Sequence, residues 1–186
     1  MKSSKTKMMV ESAVMICISV LLSMITVFKM PLGGSVTLLS MLPVCIISIK
    51  YGTKQGLLTA FVYSLAQLAM SLGEIMSWGL TPATLAGSFI FDYILAYSVL
   101  GLAGLFGNKD EKSIYSGIVL AMLLRFVSHF ISGTVFFKAL CPEGWNFILY
   151  SVCYNGAYML PETIFTVIGS VIIFRTPQLS KLISAK

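Results

Sequence analysis

The sequence predicts an all-α integral membrane protein with six transmembrane helices and both termini in the cytoplasm. Composition is the first reason, because 57% of the 186 residues are hydrophobic and 11% are charged, whereas soluble domains carry roughly a quarter charged residues. The second reason is that the apolar residues lie in long runs, without the apolar–polar alternation of membrane strands. The third is that the basic residues cluster between these runs.

Six apolar segments are the predicted helices, and we expect residues 1–186 to form a single membrane domain. A helix needs about 20 residues, within a range of roughly 17–25, to cross the hydrocarbon. Because backbone in lipid must satisfy its own hydrogen bonds, each segment is expected to be helical. The second segment is short for a crossing and the third is marginal. The segments are 9–28, 36–50, 55–72, 82–106, 114–138 and 147–174.

The lysine and arginine residues predict the orientation. With a cytoplasmic N terminus, four basic clusters share the inner side and the outer side holds only Lys29 and Lys138, while Arg125 lies within the fifth helix. An excess of basic residues in short loops marks the cytoplasmic side. The clusters are Lys2, Lys5 and Lys7; Lys50 and Lys54; Lys109 and Lys112; and Arg175, Lys181 and Lys186.

The sequence argues against several classes of function. It contains no GxxxxGK[ST] phosphate loop and no HExxH or GxSxG motif, so neither an ATP site of that type nor a common hydrolase site is expected. The four cysteines form no CxxC pair, which disfavours a disulfide framework or a metal site. Nucleic-acid binding is not expected, because no basic face is interleaved with exposed aromatic residues. An intramembrane enzyme stays an alternative without a visible catalytic residue or cofactor.

Polar side chains within the predicted helices converge at one depth. Such residues are costly in lipid and face the bundle interior or a cavity. Counted along the helices, Asp92, His129 and Asn155 each lie about eight to ten residues from the outer surface, a depth of roughly 12–15 Å. No lysine or arginine shares the level of Asp92, so a cationic ligand is a candidate partner. Arg125 and Glu162 lie near mid-depth, which favours a structural ion pair.

Aromatic residues accompany these polar groups. Tyr150, Tyr154 and Tyr158 repeat at intervals of four, which places them on one stripe of the sixth helix. An acid surrounded by aromatic rings suits an organic cation that carries a flat ring, because aromatic faces attract cations. Trp78 and Trp145 lie in predicted outer loops, where anchoring at the membrane interface is the alternative role.

Small residues mark two further segments. The outer loop between the first two helices contains a pair of glycines beginning at Gly33, which favours a tight, mobile connection that could cover a pocket; a plain turn is the alternative. In the first helix, Ala13 and Cys17 lie four residues apart, and Ser19 and Ser23 repeat the interval. This spacing permits close packing, either within the chain or against a partner.

Four parts of the sequence, spread over most of the chain, occur in the order of a known family. They are 31–38 with 41–43, 91–97, 125–133 and 150–156. Together with six predicted helices in fewer than 200 residues, they resemble the thiamine-specific S components, the substrate-binding membrane subunits of energy-coupling factor (ECF) vitamin transporters.

The resemblance implies roles for individual residues. Asp92 stands where the family has an acid that faces thiamine, followed by Tyr93 as in the family. His129, Tyr150 and Asn155 match ligand contacts of the family. With the other pocket residues added, the expected substrate-binding set is Trp78, Asp92, Tyr93, His129, Gly133, Phe137, Tyr150, Tyr154 and Asn155. The loop that closes over substrate in the family matches Leu32, Gly33, Gly34 and Ser35.

The chain departs from the family at two positions. Leu32 and Phe137 stand where family members carry tryptophan. Phe137 can still stack on a ring, whereas Leu32 can only cover one. A related thiazole or pyrimidine ligand, such as a thiamine precursor, is therefore the alternative to thiamine.

The resemblance also implies partners and a location. An S component captures its vitamin outside, then associates with a membrane coupling (T) subunit and two cytoplasmic ATPase subunits that drive release inside. The missing phosphate loop fits this division of labour. Ala13 and Cys17 are the candidate surface for contact with the coupling subunit. Thiamine is then a transported ligand and no cofactor is expected, and the expected location is a prokaryotic cytoplasmic membrane.

Overall fold

Apolar helices make up most of the computed structural model, which describes residues 2–31 and 33–184. Seven helices and one hairpin follow one another along these residues. They are α1 (Lys2–Ser23), β1 (Thr26–Lys29), β2 (Ser35–Thr37), α2 (Leu42–Tyr51), α3 (Thr53–Ser77), α4 (Pro82–Leu102), α5 (Glu111–Val135), α6 (Phe147–Arg175) and α7 (Pro177–Ser184).

Five of the described helices, α1, α3, α4, α5 and α6, are long and apolar enough to cross a membrane. This architecture confirms the predicted all-α membrane class. The second predicted helix differs, because α2 has 10 residues and spans about 15 Å, roughly half of the hydrocarbon thickness. The number of crossings and the side on which the termini lie stay predictions.

The structure corrects the boundary between the first two predicted helices. The prediction extended the first helix to residue 28 and began the second at residue 36, whereas β1 and β2 form an antiparallel hairpin there. Thr26 pairs with Thr37, and Lys29 pairs with Ser35. β-branched and aromatic residues in this stretch favour a strand. Strand pairing also satisfies the backbone N–H and C=O groups of this stretch, which an average of side-chain hydropathy does not take into account.

Helix α4 is irregular along its length. Residues Phe89–Leu95 form a π-helix, and Val99–Leu102 form a 3₁₀ turn, where the prediction had one helix over 82–106. Gly104, two residues after this helix, brings the chain against α2, since a Cβ atom there would lie 2.1 Å from the backbone oxygen of Ser48. The Ser48 hydroxyl accepts a hydrogen bond from the Gly104 N–H at 2.9 Å.

The core surrounds α2, which packs against α1, α3, α4, α6 and α7. Every residue of α2 from Leu42 to Lys50 is buried. Large apolar side chains elsewhere are exposed, among them Met9 and Leu160, as expected for surfaces that lipid solvates. Cys17 and Cys153 are also exposed.

Side-chain caps begin the two helices that form one wall of the site. Asp110 caps α5, accepting hydrogen bonds from the Ser113 N–H at 3.1 Å and from the Ser113 hydroxyl at 2.6 Å. These hydrogen bonds hold the pKa of Asp110 below its ordinary value. Asn146 caps α6 by accepting the N–H of Ile148 at 2.9 Å. Each cap satisfies donors that a helix start leaves free.

Candidate functional site

A cavity of about 340 Å³ lies between α3, α4, α5, α6 and the β1–β2 hairpin. Small-molecule sites typically measure roughly 300–1,000 Å³, so this one suits a small ligand. All of the residues expected to bind substrate line it, as do Gly33, Gly34 and Ser35 of the expected loop gate. Leu32, the remaining member of the loop gate, lies outside the described residues.

Asp92 lies on the π-helical part of α4 and is held by two side chains of α5. The His129 Nδ1 lies 3.0 Å from Asp92 Oδ1, and the Ser132 hydroxyl donates to Asp92 Oδ2 at 2.6 Å. Because a carboxylate only accepts, Nδ1 carries the proton of a neutral His129. The partners of Asp92 among the described residues are thus a histidine and a serine, and its carboxylate stays partly exposed to the cavity.

The π-helix explains how consecutive residues of α4 reach the same cavity. A π-turn widens the helix and is frequent at functional sites. Asp92 and Tyr93 both line the cavity from this segment. The Ser128 hydroxyl donates to the backbone oxygen of Phe91 at 2.6 Å and joins the widened turn to α5.

Asn155 connects α6 to the same group of side chains. Its Nδ2 donates to the Ser151 backbone oxygen at 2.9 Å, and its Oδ1 accepts the Tyr158 hydroxyl at 2.7 Å. The Tyr158 ring in turn packs edge-on against His129, with the ring centroids 5.7 Å apart. Asp92, His129 and Asn155 thus lie close together, as their shared depth predicted.

Gly133 lies where α5 and α6 approach each other closely. A Cβ atom here would lie 2.3 Å from the Ser151 hydroxyl oxygen and 3.2 Å from Asn155 Nδ2. The space beside Gly133 is therefore filled by α6, and the glycine permits close contact between α5 and α6 while it lines the cavity.

Aromatic rings form a second wall. The centroids of Tyr150 and Tyr154 lie 5.8 Å apart, and those of Tyr154 and Tyr158 lie 6.3 Å apart, so the three tyrosines form the stripe that their spacing predicted. Trp78 ends α3 and lines the cavity. Trp145 is 56% exposed and packs edge-on against Tyr150, outside the cavity lining.

The predicted ion pair between Arg125 and Glu162 is wrong. Arg125 lies over the Tyr97 ring, 4.4 Å from its centroid, and contacts the Met41 sulfur. Glu162 instead accepts hydrogen bonds from Thr37 at the base of the hairpin. Among the described residues the guanidinium thus has an aromatic ring and a sulfur as its direct contacts, with no carboxylate oxygen within 4.0 Å, and Arg125 lines the cavity.

The expected loop gate is the turn of the hairpin, and it lies over the cavity. Gly33 and Gly34 have φ angles of 85° and 75°, which favour glycine. A Cβ atom at Gly33 would lie 2.9 Å from the Trp78 ring, and one at Gly34 would lie 2.7 Å from the Tyr158 ring. The Tyr154 hydroxyl donates to the backbone oxygen of Gly33 at 2.9 Å. Both glycines therefore permit the turn to seat on the aromatic wall.

Polar residues of α3 line the cavity and were not predicted. Gln67, Ser71 and Glu74 follow each other at intervals of four and three, which places them on one helix face. That spacing in the sequence could have identified these three residues as part of the cavity wall. The predicted third helix ended at residue 72, so Glu74 fell in a loop; in the structure its carboxylate pairs with Lys29 of β1 at 2.8 Å.

The small residues of α1 divide between two faces. Ala13 and Cys17 are exposed, so they remain a candidate contact surface. Ser19 is buried, and Ser23 accepts a hydrogen bond from Gln67 Nε2 at 2.8 Å. The serines therefore face α3, within the chain.

Comparison with known proteins gives one consistent family. Residues 9–182 match the family described as "Thiamine transporter protein". The thiamine transporter ThiT of Bacillus subtilis (strain 168) is 32% identical over 195 positions, which cover 97% of each chain. The thiamine transporter ThiT of Lacticaseibacillus paracasei is 26% identical over 152 positions, covering 75% of this chain and 73% of the relative.

Two solved structures share the fold. ThiT from Listeria monocytogenes superposes with a TM-score of 0.76 at 22% identity, covering 97% of this chain and 98% of that one. The S component of a bacterial ECF transporter superposes with a TM-score of 0.65 at 17% identity, covering 96% and 98%. The helical fold is thus common to these chains.

Proposed function

The chain belongs to the thiamine transporter family, and on that premise we propose that it is the S component of an ECF-type importer that captures thiamine in the cavity beneath the hairpin. Thiamine joins an aminopyrimidine to a cationic thiazolium ring, so it needs flat apolar surfaces, hydrogen-bonding groups and one negative charge. The cavity lining offers all three.

The observation that carries the proposal is the position of the Asp92 carboxylate. Its two partners, His129 and Ser132, orient both oxygens but leave one net negative charge when His129 is neutral. This charge lies beside the aromatic rings of Tyr93 and Tyr158 in a cavity that is partly shielded from water. Aromatic faces and a carboxylate together attract an organic cation.

A second group fits the aminopyrimidine. The Nε2 atom of His129 is buried and has no partner among the described residues. With the proton on Nδ1, Nε2 is an acceptor, suited to the exocyclic amine of a pyrimidine once the side chains that cover it move aside. Leaving this acceptor unpaired is costly, so a ligand that opens this contact gains by satisfying it.

The proposal includes partners and a location. The chain contains no phosphate loop, so the energy for uptake comes from partner subunits: a membrane coupling (T) subunit and two cytoplasmic ATPases. The exposed residues Ala13 and Cys17 on α1 are the proposed contact surface. The location is a prokaryotic cytoplasmic membrane with both chain termini inside. Thiamine is cargo, no cofactor takes part, and no reaction is catalysed.

Tryptophan fluorescence of the purified chain tests the proposal. In a Trp145→Phe variant, Trp78 is the remaining tryptophan, and it lines the cavity. Titration with thiamine is expected to give a saturable change, whereas riboflavin and biotin give none. A Trp78→Phe variant, which keeps Trp145 outside the cavity, is the matched control and should lose most of the signal.

Calorimetry with the same ligands gives a readout that does not depend on a fluorophore. Failure of thiamine to bind by both methods would refute the proposed ligand. Separate titrations with the pyrimidine and thiazole precursors would then identify the alternative ligand that Leu32 and Phe137 suggest.

A further inference from the structure

Glu162 lies in the middle of α6 and holds the base of the hairpin. Its side chain is 1% exposed. One carboxylate oxygen accepts the backbone N–H of Thr37 at 2.6 Å, and the other accepts the Thr37 hydroxyl at 2.7 Å. The Thr37 Oγ1 also lies 2.6 Å from the hydroxyl of Ser40. A charged acceptor with two donors from one residue forms a strong, directional contact.

The chain that follows Thr37 has a strained backbone. Leu39 has a φ of 59° and is the non-glycine residue with a positive φ among those described. Such conformations persist where the surrounding structure holds them. The Leu39 side chain packs over α6 at Gly169, where a Cβ atom would lie 2.6 Å from it. Helix α6 therefore contacts this segment at Thr37, through Glu162, and at Leu39, through Gly169.

Helix α6 thus contacts the hairpin at its two ends. Tyr154 binds the turn through Gly33, and Glu162 binds the base through Thr37. The two residues are separated by about 12 Å along the helix. Between these contacts, Ser35 of β2 lines the cavity and Val36 is buried.

We propose that Glu162 is a positioning residue, which anchors the base of the hairpin over the cavity and thereby slows the escape of bound ligand. It acts through Thr37 and lies outside the cavity lining. Lifting the hairpin at its base removes both donors from a buried carboxylate, which is strongly unfavourable. The contact between Glu162 and Thr37 therefore favours the arrangement in which the hairpin lies over the cavity. The proposal rests on the proposed function only in taking thiamine as the ligand.

Two Thr→Val substitutions test the anchor. Thr37→Val removes the hydroxyl that binds Glu162. Thr166→Val is the matched control, because Thr166 is equally buried on α6 and its hydroxyl donates to the Glu162 backbone oxygen at 2.8 Å without touching the hairpin. We expect Thr37→Val to speed thiamine dissociation about tenfold, which equals about 1.4 kcal/mol, and Thr166→Val to change it less than about twofold.

Thermal unfolding of the ligand-free proteins separates anchoring from general destabilisation. Thr37→Val loses two buried hydroxyl contacts, to Glu162 and to Ser40, whereas Thr166→Val loses one hydrogen bond within α6. A dissociation rate that rises only in Thr37→Val, while its melting temperature stays within a few degrees of that of Thr166→Val, indicates anchoring. In Glu162→Gln the amide can still accept the Thr37 N–H and donate to the Thr37 hydroxyl, so an intermediate rate is expected. An unchanged dissociation rate in folded Thr37→Val, or equal acceleration in Thr166→Val, would overturn the proposal.

Hydrogen exchange without ligand tests the anchor independently of thiamine binding. Faster exchange of the β1 and β2 amides in Thr37→Val than in Thr166→Val supports it. Equal protection in both variants contradicts it. If the wild-type chain does not bind thiamine, the proposed ligand is wrong, and this exchange measurement still decides the role of Glu162.

Discussion

Substitution of Asp92 by asparagine removes the charge on which the proposed ligand site depends. The side chain keeps its size: its carbonyl oxygen can still accept the Nδ1–H of His129, and its amide can donate to the Ser132 hydroxyl oxygen. The change is therefore mainly electrostatic. Two unit charges about 4 Å apart attract by about 4 kcal/mol at an effective dielectric constant near 20.

The expected loss of affinity is smaller than this attraction, because taking both charges out of water offsets part of it. We expect Asp92→Asn to weaken thiamine binding by about 1.4–2.8 kcal/mol, or about ten- to a hundredfold in Kd. Ser132→Ala keeps the charge and removes one hydrogen bond, so its effect should be less than about tenfold. Calorimetric titration of both variants measures the difference.

An uncharged ligand separates the charge from the shape of the site. The aminopyrimidine precursor lacks the thiazolium cation, so Asp92→Asn should weaken its binding much less than that of thiamine. Unchanged thiamine affinity in a folded Asp92→Asn protein would refute the counter-charge role. Equal losses for the charged and uncharged ligands would also refute it and would indicate distortion of the site.

Three further predictions concern packing and the cover of the cavity. Gly104→Ala should lower the free energy of unfolding by about 1–3 kcal/mol, because its Cβ would meet backbone of α2; Gly156→Ala, with nothing within 4 Å, should leave or raise the melting temperature. Tyr154→Phe should speed thiamine dissociation about fivefold, since the turn loses its bond at Gly33. Lys29→Ala breaks an exposed pair with Glu74 and should change affinity by less than about 1 kcal/mol at physiological salt.

Each of these predictions has a contrary result. Equal melting temperatures for the two alanine variants would show that α2 and α4 can separate without cost. An unchanged rate of thiamine dissociation in Tyr154→Phe would show that this tyrosine does not help to hold the hairpin turn over the cavity. A large loss of affinity in Lys29→Ala would mean that the ion pair orders the whole hairpin.

The positions of the site residues were predictable because helical rise is constant. Depth counted along three segments brought Asp92, His129 and Asn155 to one level, and their hydrogen bonds and close packing agree. The tyrosine stripe followed from the same regularity. When the walls of a cavity are helices, the spacing of residues along each helix therefore predicts which side chains line it.

Contacts between distant segments were not predictable in the same way. Thr37 and Glu162 are 125 residues apart, and nothing in the local sequence of either indicates the other. Arg125 was assigned to Glu162 by depth alone, whereas its partner is the Tyr97 ring. The hairpin was not predicted, because averaged hydropathy does not distinguish apolar residues of a strand from those at the end of a helix.

The short, enclosed helix α2 has a consequence for how the protein reaches its membrane topology. Ten residues are too few to partition stably into a bilayer alone, and the chain before them enters as a hairpin. Only Gly52, at a φ of 89°, separates α2 from α3, so we expect the two helices to insert together. Their final arrangement then requires α4 and α6 to be present, and the topology of this region is completed by folding.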